Sequence, residues 1–258
     1  MTHHLITIGP SHYCDKARKA MQIAKLSFIE EPHLPMFHIP AVKRSGGVRS
    51  TPVLALQGRT LSDSSDILAY IHTHPKAKWH PYGATGDART KIEDWETRFD
   101  ETLGPHSRRL AYYFLLPHRS IALPILSSGV PNFEALSLKI AYPVFRSIMA
   151  KLLNISKQGA ERSRGRIQEV FDDVAQALKA SDTQTSATPY LVGEALTAAD
   201  LTFATLAAPI LGIDAYFPNE LRPIAWPREL QAEFERWREH PAGRWAQEIY
   251  RELDNRAG

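Results

Sequence analysis

A single cysteine, Cys14, among 258 residues rules out an intrachain disulfide and any zinc site built from four cysteines. A reducing, cytoplasmic compartment is the expectation that follows. Long apolar runs are missing too. The most hydrophobic stretch, residues 121–153, is broken by Pro124, Pro131, Pro143, Glu134, Lys139 and Arg146, so no membrane span is expected. Met1-Thr2-His3-His4 leads straight into Leu5-Ile6-Thr7-Ile8, without the charged region and long apolar core of a secretory signal. Charge of one sign is also lacking: 31 Lys and Arg against 28 Asp and Glu leave a formal +3, mostly scattered, which argues against a dedicated nucleic-acid binder. The densest basic run, Lys157, Arg162, Arg164 and Arg166, reads as a solvated helix start. No Gly-x-Ser-x-Gly surrounds a serine, and residues 83–91 lack the Gly-Lys-Ser/Thr of a phosphate loop. The histidines at 3, 4, 72, 74 and 80 have no carboxylate or cysteine at ligand spacing, so no metal is expected. There is no internal repeat. At 43% hydrophobic and 23% charged, the remainder is that of an ordinary soluble globular protein of one large or two small domains.

Residues 5–8 read as a short buried strand, Gly9-Pro10-Ser11 as a turn with a capping serine, and residues 13–25 as a helix. A second strand is expected at 27–30. Residues 32–47, punctuated by Pro32, Pro35, Pro40, Gly46 and Gly47, read as irregular. Strands at 53–56 and 59–61 with a turn at Gly58, then a helix over 63–74, complete a compact α/β unit. A Pro-, Gly- and His-rich linker over 74–86 follows, and beyond it strand signals stop. Helical spacing marks 91–103, 161–178 and 229–238; residues 197–211 are apolar nearly all round, as a central buried helix would be. The fold class is therefore a small α/β domain, residues 1–75, followed by an all-helical domain, residues 87–258.

Two local signals are sharper. Pro52 stands just before the apolar Val53-Leu54, where a missing backbone donor is tolerated only at a strand's first residue or edge. A cis Thr51–Pro52 bond would turn the Thr51 N–H and C=O out of the sheet toward an extended ligand. Asp63 and Ser64 set a carboxylate and a hydroxyl beside the free amides of a helix start, which suits a ligand carrying both an ammonium and a carboxylate. The second signal is Thr197-Ala198-Ala199-Asp200, spaced as a capping box with Leu196 and Leu201 as a hydrophobic staple: a folding device.

The segments Ser11-His12-Tyr13-Cys14-Asp15-Lys16-Ala17-Arg18, Ser50-Thr51-Pro52-Val53-Leu54, Asp63-Ser64-Ser65-Asp66-Ile67 and Tyr190-Leu191-Val192-Gly193-Glu194-Ala195-Leu196-Thr197-Ala198-Ala199-Asp200-Leu201 together resemble the cytosolic glutathione transferase family, in its serine-type, bacterial-like form, over roughly residues 5–74 and 190–240. The resemblance implies a thioredoxin-like domain that binds glutathione as co-substrate, a helical domain that takes a hydrophobic electrophile, a homodimer, and conjugation of the detoxification type. It places Ser11 at the hydroxyl that holds the glutathione sulfur. Thr51, ahead of Pro52, falls at the backbone that pairs with the cysteinyl part, and Asp63 and Ser64 at the pair that holds the γ-glutamyl group. Arg49 and Lys43 lie near the glycine carboxylate. Residues 115–158 match no part of the pattern.

A thiol of pKa about 8.5 is mostly protonated at neutral pH. A hydroxyl at a helix N-terminus favours the thiolate through hydrogen bonding and the helix dipole, and lowering the pKa by about two units corresponds to ~2.7 kcal/mol. Ser11 fits that role, or is only a helix cap. Cys14 offers a competing chemistry, a glutathione-dependent thiol-disulfide reductase or peroxidase, or is a buried, inert thiol. Tyr13 is a third candidate for the sulfur hydrogen bond, or lines the cleft. Tyr112 and Tyr113 overhang the cleft or are core aromatics. A non-catalytic binding role is the remaining alternative, with residues 121–153 as a partner surface.

Overall fold

A computed structural model describes residues 3–83, 86–181 and 189–258 of the chain. Four strands, β1 (His3–Ile8), β2 (Phe28–His33), β3 (Val53–Leu56) and β4 (Arg59–Leu61), form one mixed sheet in the order β2-β1-β3-β4. β1 runs parallel to β2 and antiparallel to β3, which places Leu5 between Glu30 and Leu54. Helix α1 (His12–Ile23) crosses from β1 to β2, and α3 (Ser64–Thr73) follows β4. The Thr51–Pro52 bond is cis, and Pro52 directly precedes β3.

Two expectations for this domain need correction. β2 runs on through Pro32 to His33, because β2 lies at the sheet edge, where a missing donor leaves no ladder bond unmade. Residues 32–47 are not irregular throughout: α2 (His38–Arg44) forms there, with Pro40 in its first turn, where a helix has no use for the N–H.

The helical domain holds α4 (Asp87–Arg98), a π turn (Phe99–Leu103), α5 (Gly104–Leu115), α6 (Arg119–Ser127), α7 (Asn132–Leu152), α8 (Lys157–Ser181), α9 (Ala198–Leu211), α10 (Arg228–Glu239) and α11 (Pro241–Ala257). Every residue of α9 is buried, as its sequence implies, and the other helices of the main core pack around it. Its start is fixed by Asp200, which accepts from the Leu191 and Thr197 amides at 2.8 Å and from the Thr197 hydroxyl at 2.7 Å. Its end turns on Gly212, at φ +56°, a conformation that disfavours other residues.

Residues 115–158, unassigned by the sequence pattern, build α6 and α7 around a second core of Leu115, Ile125, Leu138, Tyr142, Phe145 and Phe217. Pro124 lies within α6 and Pro143 within α7 without ending either, and α7 is kinked. Pro143 frees the Lys139 carbonyl four residues back, and Arg119 Nη2 donates to it at 2.7 Å; Ala141 takes the non-helical angles of the kink. α7 is anchored to the sheet by Glu134, buried, which accepts from Leu34 N at 2.8 Å and meets His33 Nδ1 at 2.6 Å. Its opposite face leaves Phe133, Leu136, Ile140 and Val144 exposed. No helix among the described residues is long and apolar enough to cross a membrane.

The two domains meet across α1. Ala17, Ala20 and Met21 fill the main core, yet Asp15, Lys16 and Lys19 are buried as well. Lys16, fully buried, donates to Glu96 at 2.9 Å and to Asp100 at 2.7 Å. Ser65 bonds the same two carboxylates, and Tyr82 donates to the other Glu96 oxygen at 2.7 Å. Burial alone would raise the Glu96 carboxyl, but Lys16, Ser65 and Tyr82 hold it below its usual range; in Asp100 burial wins and the carboxyl is raised. At the other end of α1, Tyr250 donates to Asp15 at 2.8 Å and Lys19 pairs with Asp254. Replacing one member of a buried ion pair strands the rest, so Lys16→Met should lower unfolding free energy by about 3–5 kcal/mol, measured by urea denaturation. A loss under about 1 kcal/mol would mean that the domains are held by apolar packing alone.

Candidate functional site

The turn between β1 and α1 carries Ser11 as the N-cap, extended at φ −87°, ψ 120°, its oxygen accepting from the Cys14 amide at 3.4 Å. Cys14 lies one turn into the helix with no exposed surface, and its sulfur receives the Ile8 N–H at 3.4 Å. Burial pushes the thiol above its ordinary pKa, although hydrogen bonds from Ser11, the Ile8 amide and Thr51, and the charge of Arg18, work the other way. Ser11 and Thr51, from distant parts of the sequence, both act on Cys14.

The residue before Thr51 is tied in turn to the segment that enters α3. Ser50 Oγ donates to the Ser62 carbonyl at 3.2 Å, and Asp63 caps α3 by accepting from the Ser65 amide at 2.8 Å. Ser64, the first residue of α3, is buried. Next to it Ser65 joins the Lys16–Glu96–Asp100 cluster, in which Asp100 Oδ1 is buried and has no partner. Lys43 and Arg49 are exposed, one on α2 and one in the loop after it, where the Arg49 carbonyl accepts from His38 Nε2 at 2.9 Å.

Tyr13 is not available to a sulfur. Its phenol donates to the Asp100 carbonyl at 2.6 Å, and burial, followed by the charge of Asp100, raises its pKa far above the ordinary value. Its neighbour His12 makes the parallel contact, Nε2 to the Gly104 carbonyl at 2.8 Å. Both acceptors belong to the π turn or its junction with α5. Tyr13 comes so close that a methyl group on Gly104 would overlap its hydroxyl, which explains the glycine. Of the two readings for Tyr113 its surroundings match the core aromatic: it packs with Phe114 against the main core, ring centroids 5.0 Å apart.

Tyr112 faces the other way, into a cavity of about 450 Å³ of unfilled space, part of it open to solvent. The cavity runs from Pro10 and His12 along α5 to Tyr216, Phe217 and Trp226 in the segment after α9; Ser11, flanked in the chain by Pro10 and His12, is not itself part of the lining. Burial raises the Tyr112 phenol to about 12, and Tyr216 closes the wall by donating to the Pro10 carbonyl. Sequence reasoning missed Arg108, Tyr216, Phe217 and Trp226. The spacing of Arg108, Tyr112 and Leu115 along one helix face was the one available signal; the others lie in a segment without periodicity.

His12 generates a pH effect. Burial and the Arg108 charge, opposed by the bond to Gly104, lower its imidazole from 6.5 to about 3. As pH falls through about 6.5 the unfolded chain takes up a proton that the folded chain refuses, so stability is lost on acidification. Between pH 7 and 5 this amounts to about 2 kcal/mol, and His12→Gln should reduce the pH dependence by that much in urea titrations. Identical slopes in the two proteins would show that His12 protonates in the folded state.

The family model for the glutathione S-transferase N-terminal domain matches residues 5–79. No curated protein matches the chain. Solved structures do, along nearly the whole length. The beta-etherase LigF from Sphingobium sp. strain SYK-6 is 17% identical with a TM-score of 0.59, covering 98% of this chain and 100% of that one. A glutathione S-transferase of Ceriporiopsis subvermispora in complex with glutathione is 15% identical with a TM-score of 0.63, over 98% and 97%. One from Methylobacterium radiotolerans in complex with glutathione sulfonate is 19% identical with a TM-score of 0.54, over 95% and 93%. At these identities the likeness is one of fold.

Proposed function

Because residues 5–79 belong to the glutathione S-transferase N-terminal domain family and the chain follows the glutathione transferase fold throughout, we propose that this protein is a glutathione transferase that joins the glutathione thiolate to a hydrophobic electrophile. The observation that carries the reading is the position of Ser11. It caps α1, and in the chain it stands between Pro10 and His12, two residues that line the apolar cavity. A tripeptide laid along Thr51, its amino-acid head at Asp63 and Ser64 and its glycine carboxylate toward Arg49 and Lys43, delivers its sulfur to that point.

There the Ser11 hydroxyl donates to the sulfur, and the first amides of α1 add the positive end of the helix dipole. Both favour the thiolate. The anion attacks an electrophilic carbon in the cavity; a C–S bond forms, and the electron pair of the broken bond departs with the leaving group. The reductase alternative is disfavoured because Cys14 is buried and its thiol is raised in pKa, both of which suppress nucleophilic attack. A homodimer in the cytoplasm, as the resemblance implies, completes the reading.

Ser11→Ala should reduce turnover at saturating glutathione by about 10- to 100-fold, and raise the pKa of the bound thiol, followed by ultraviolet thiolate absorbance, toward 8.5. Cys14→Ala should change turnover by less than about threefold, since the backbone amide that meets Ser11 is kept and the Cys14 side chain does not line the cavity. Equal turnover in Ser11→Ala and wild type would remove the hydroxyl from the reaction.

A further inference from the structure

The cavity is apolar but for one cation. Arg108 lies on the α5 face that also presents Ala111, Tyr112 and Leu115, and it is the only charged side chain in a lining otherwise made of Pro10, His12 and aliphatic and aromatic groups. No carboxylate lines the cavity. Among the described residues Arg108 makes no ion pair and no hydrogen bond, and its Nε is wholly buried without a partner. Asp100 makes no bond to Arg108: its Oδ2 holds Lys16 and Ser65, and its Oδ1 is buried without a partner. His12 supplies no countercharge, since its ring is held neutral with Nε2 donating to the Gly104 carbonyl. The Arg108 charge is felt across the cavity, where it opposes protonation of His12 and favours ionisation of Tyr112.

A guanidinium stays charged at any physiological pH, and its five donors match the two oxygens of a carboxylate. Arg108 is half-buried and its orphaned donor is Nε, so an anionic ligand would offset the part of its desolvation that the protein leaves unmet. We propose that the second substrate is an aromatic electrophile bearing a carboxylate, which Arg108 receives while the aromatic walls hold the ring. This rests on the transferase reading for the reaction, but not for the binding. The carboxylate takes no part in bond making; it orients the electrophilic carbon toward the sulfur at Ser11.

The test compares 4-chloro-3,5-dinitrobenzoate with its methyl ester as acceptors, and unreactive 3,5-dinitrobenzoate with its methyl ester as ligands by calorimetry. In the wild type the carboxylates should be preferred in both pairs. Arg108→Met should weaken the carboxylates by about 10- to 100-fold in kcat/KM and in Kd, leave the esters within about threefold, and leave the KM for glutathione unchanged; Arg108→Lys should fall between. An equal loss for acid and ester, a raised KM for glutathione, or a wild type that binds the ester as well as the acid would overturn the proposal. Because the calorimetric pair needs no turnover, a preference for the acid that disappears in Arg108→Met without any conjugation would uphold the anion site and fault the transferase reading instead.

Discussion

The structure depends on a helix that is buried on two sides while carrying charge. α1 packs Ala17, Ala20 and Met21 into the core beside the sheet, and the same two turns bring Asp15, Lys16 and Lys19 against the helical domain. A lysine with no exposed surface is tolerable only if each donor finds an oxygen, and Lys16 finds three, on Glu96, Asp100 and Ser65. Such a contact is unforgiving in a way that apolar packing is not: a shift of an ångström or two strands a charge. It therefore sets the register of the two domains more tightly than the surrounding aliphatic contacts. Ser11, one turn before Lys16, inherits that register, and so do Pro10 and His12 on either side of it, which line the cavity.

The π turn translates this docking into the shape of the second site. One extra residue in the turn rotates everything after it about the helix axis and leaves carbonyls free of their usual partners. The carbonyls of Asp100 and Gly104 are taken up from outside, by Tyr13 and His12 of α1. The rotated α5 then turns Arg108, Tyr112 and Leu115 toward the cavity and Tyr113 toward α8 and the core. Two adjacent tyrosines thus have unrelated surroundings. Without the π turn their roles would shift around the helix.

The legible parts of the sequence were those where the local chain leaves a single option. Pro52 ahead of an apolar strand, Asp63 as a cap, and the Thr197–Asp200 box each rest on backbone groups that have no other way to be satisfied. The buried α9 was legible because nothing polar interrupts it. Prolines were read as breaks, and three of them are not: Pro32 lies on an edge strand, Pro40 in a first turn, and Pro143 at a kink whose freed carbonyl is met by Arg119. Each exception depends on a neighbour remote in sequence, which periodicity does not register. α11 lies outside the three stretches of helical spacing; Pro241, which cannot continue α10, is the first residue of α11. The cavity was illegible for the same reason as α6 and α7: its walls come from five separate stretches of chain.

Cys14 shows how the proposed chemistry and the fold divide the sulfur between them. Its position in a Ser-x-x-Cys sequence invites a redox role, but the first turn of α1 faces inward at that residue, and the Ile8 amide donates to its sulfur. In that setting ionisation loses more by desolvation than it gains from Ser11, Thr51 and Arg18. The same neighbours would act on a sulfur outside the helix without the burial term, since Ser11 caps the helix at its open end. A chain that buries its own thiol and leaves a hydroxyl at the helix mouth has the electrostatics for a thiolate but supplies none itself. On the proposed reading, the nucleophile must then arrive with the ligand.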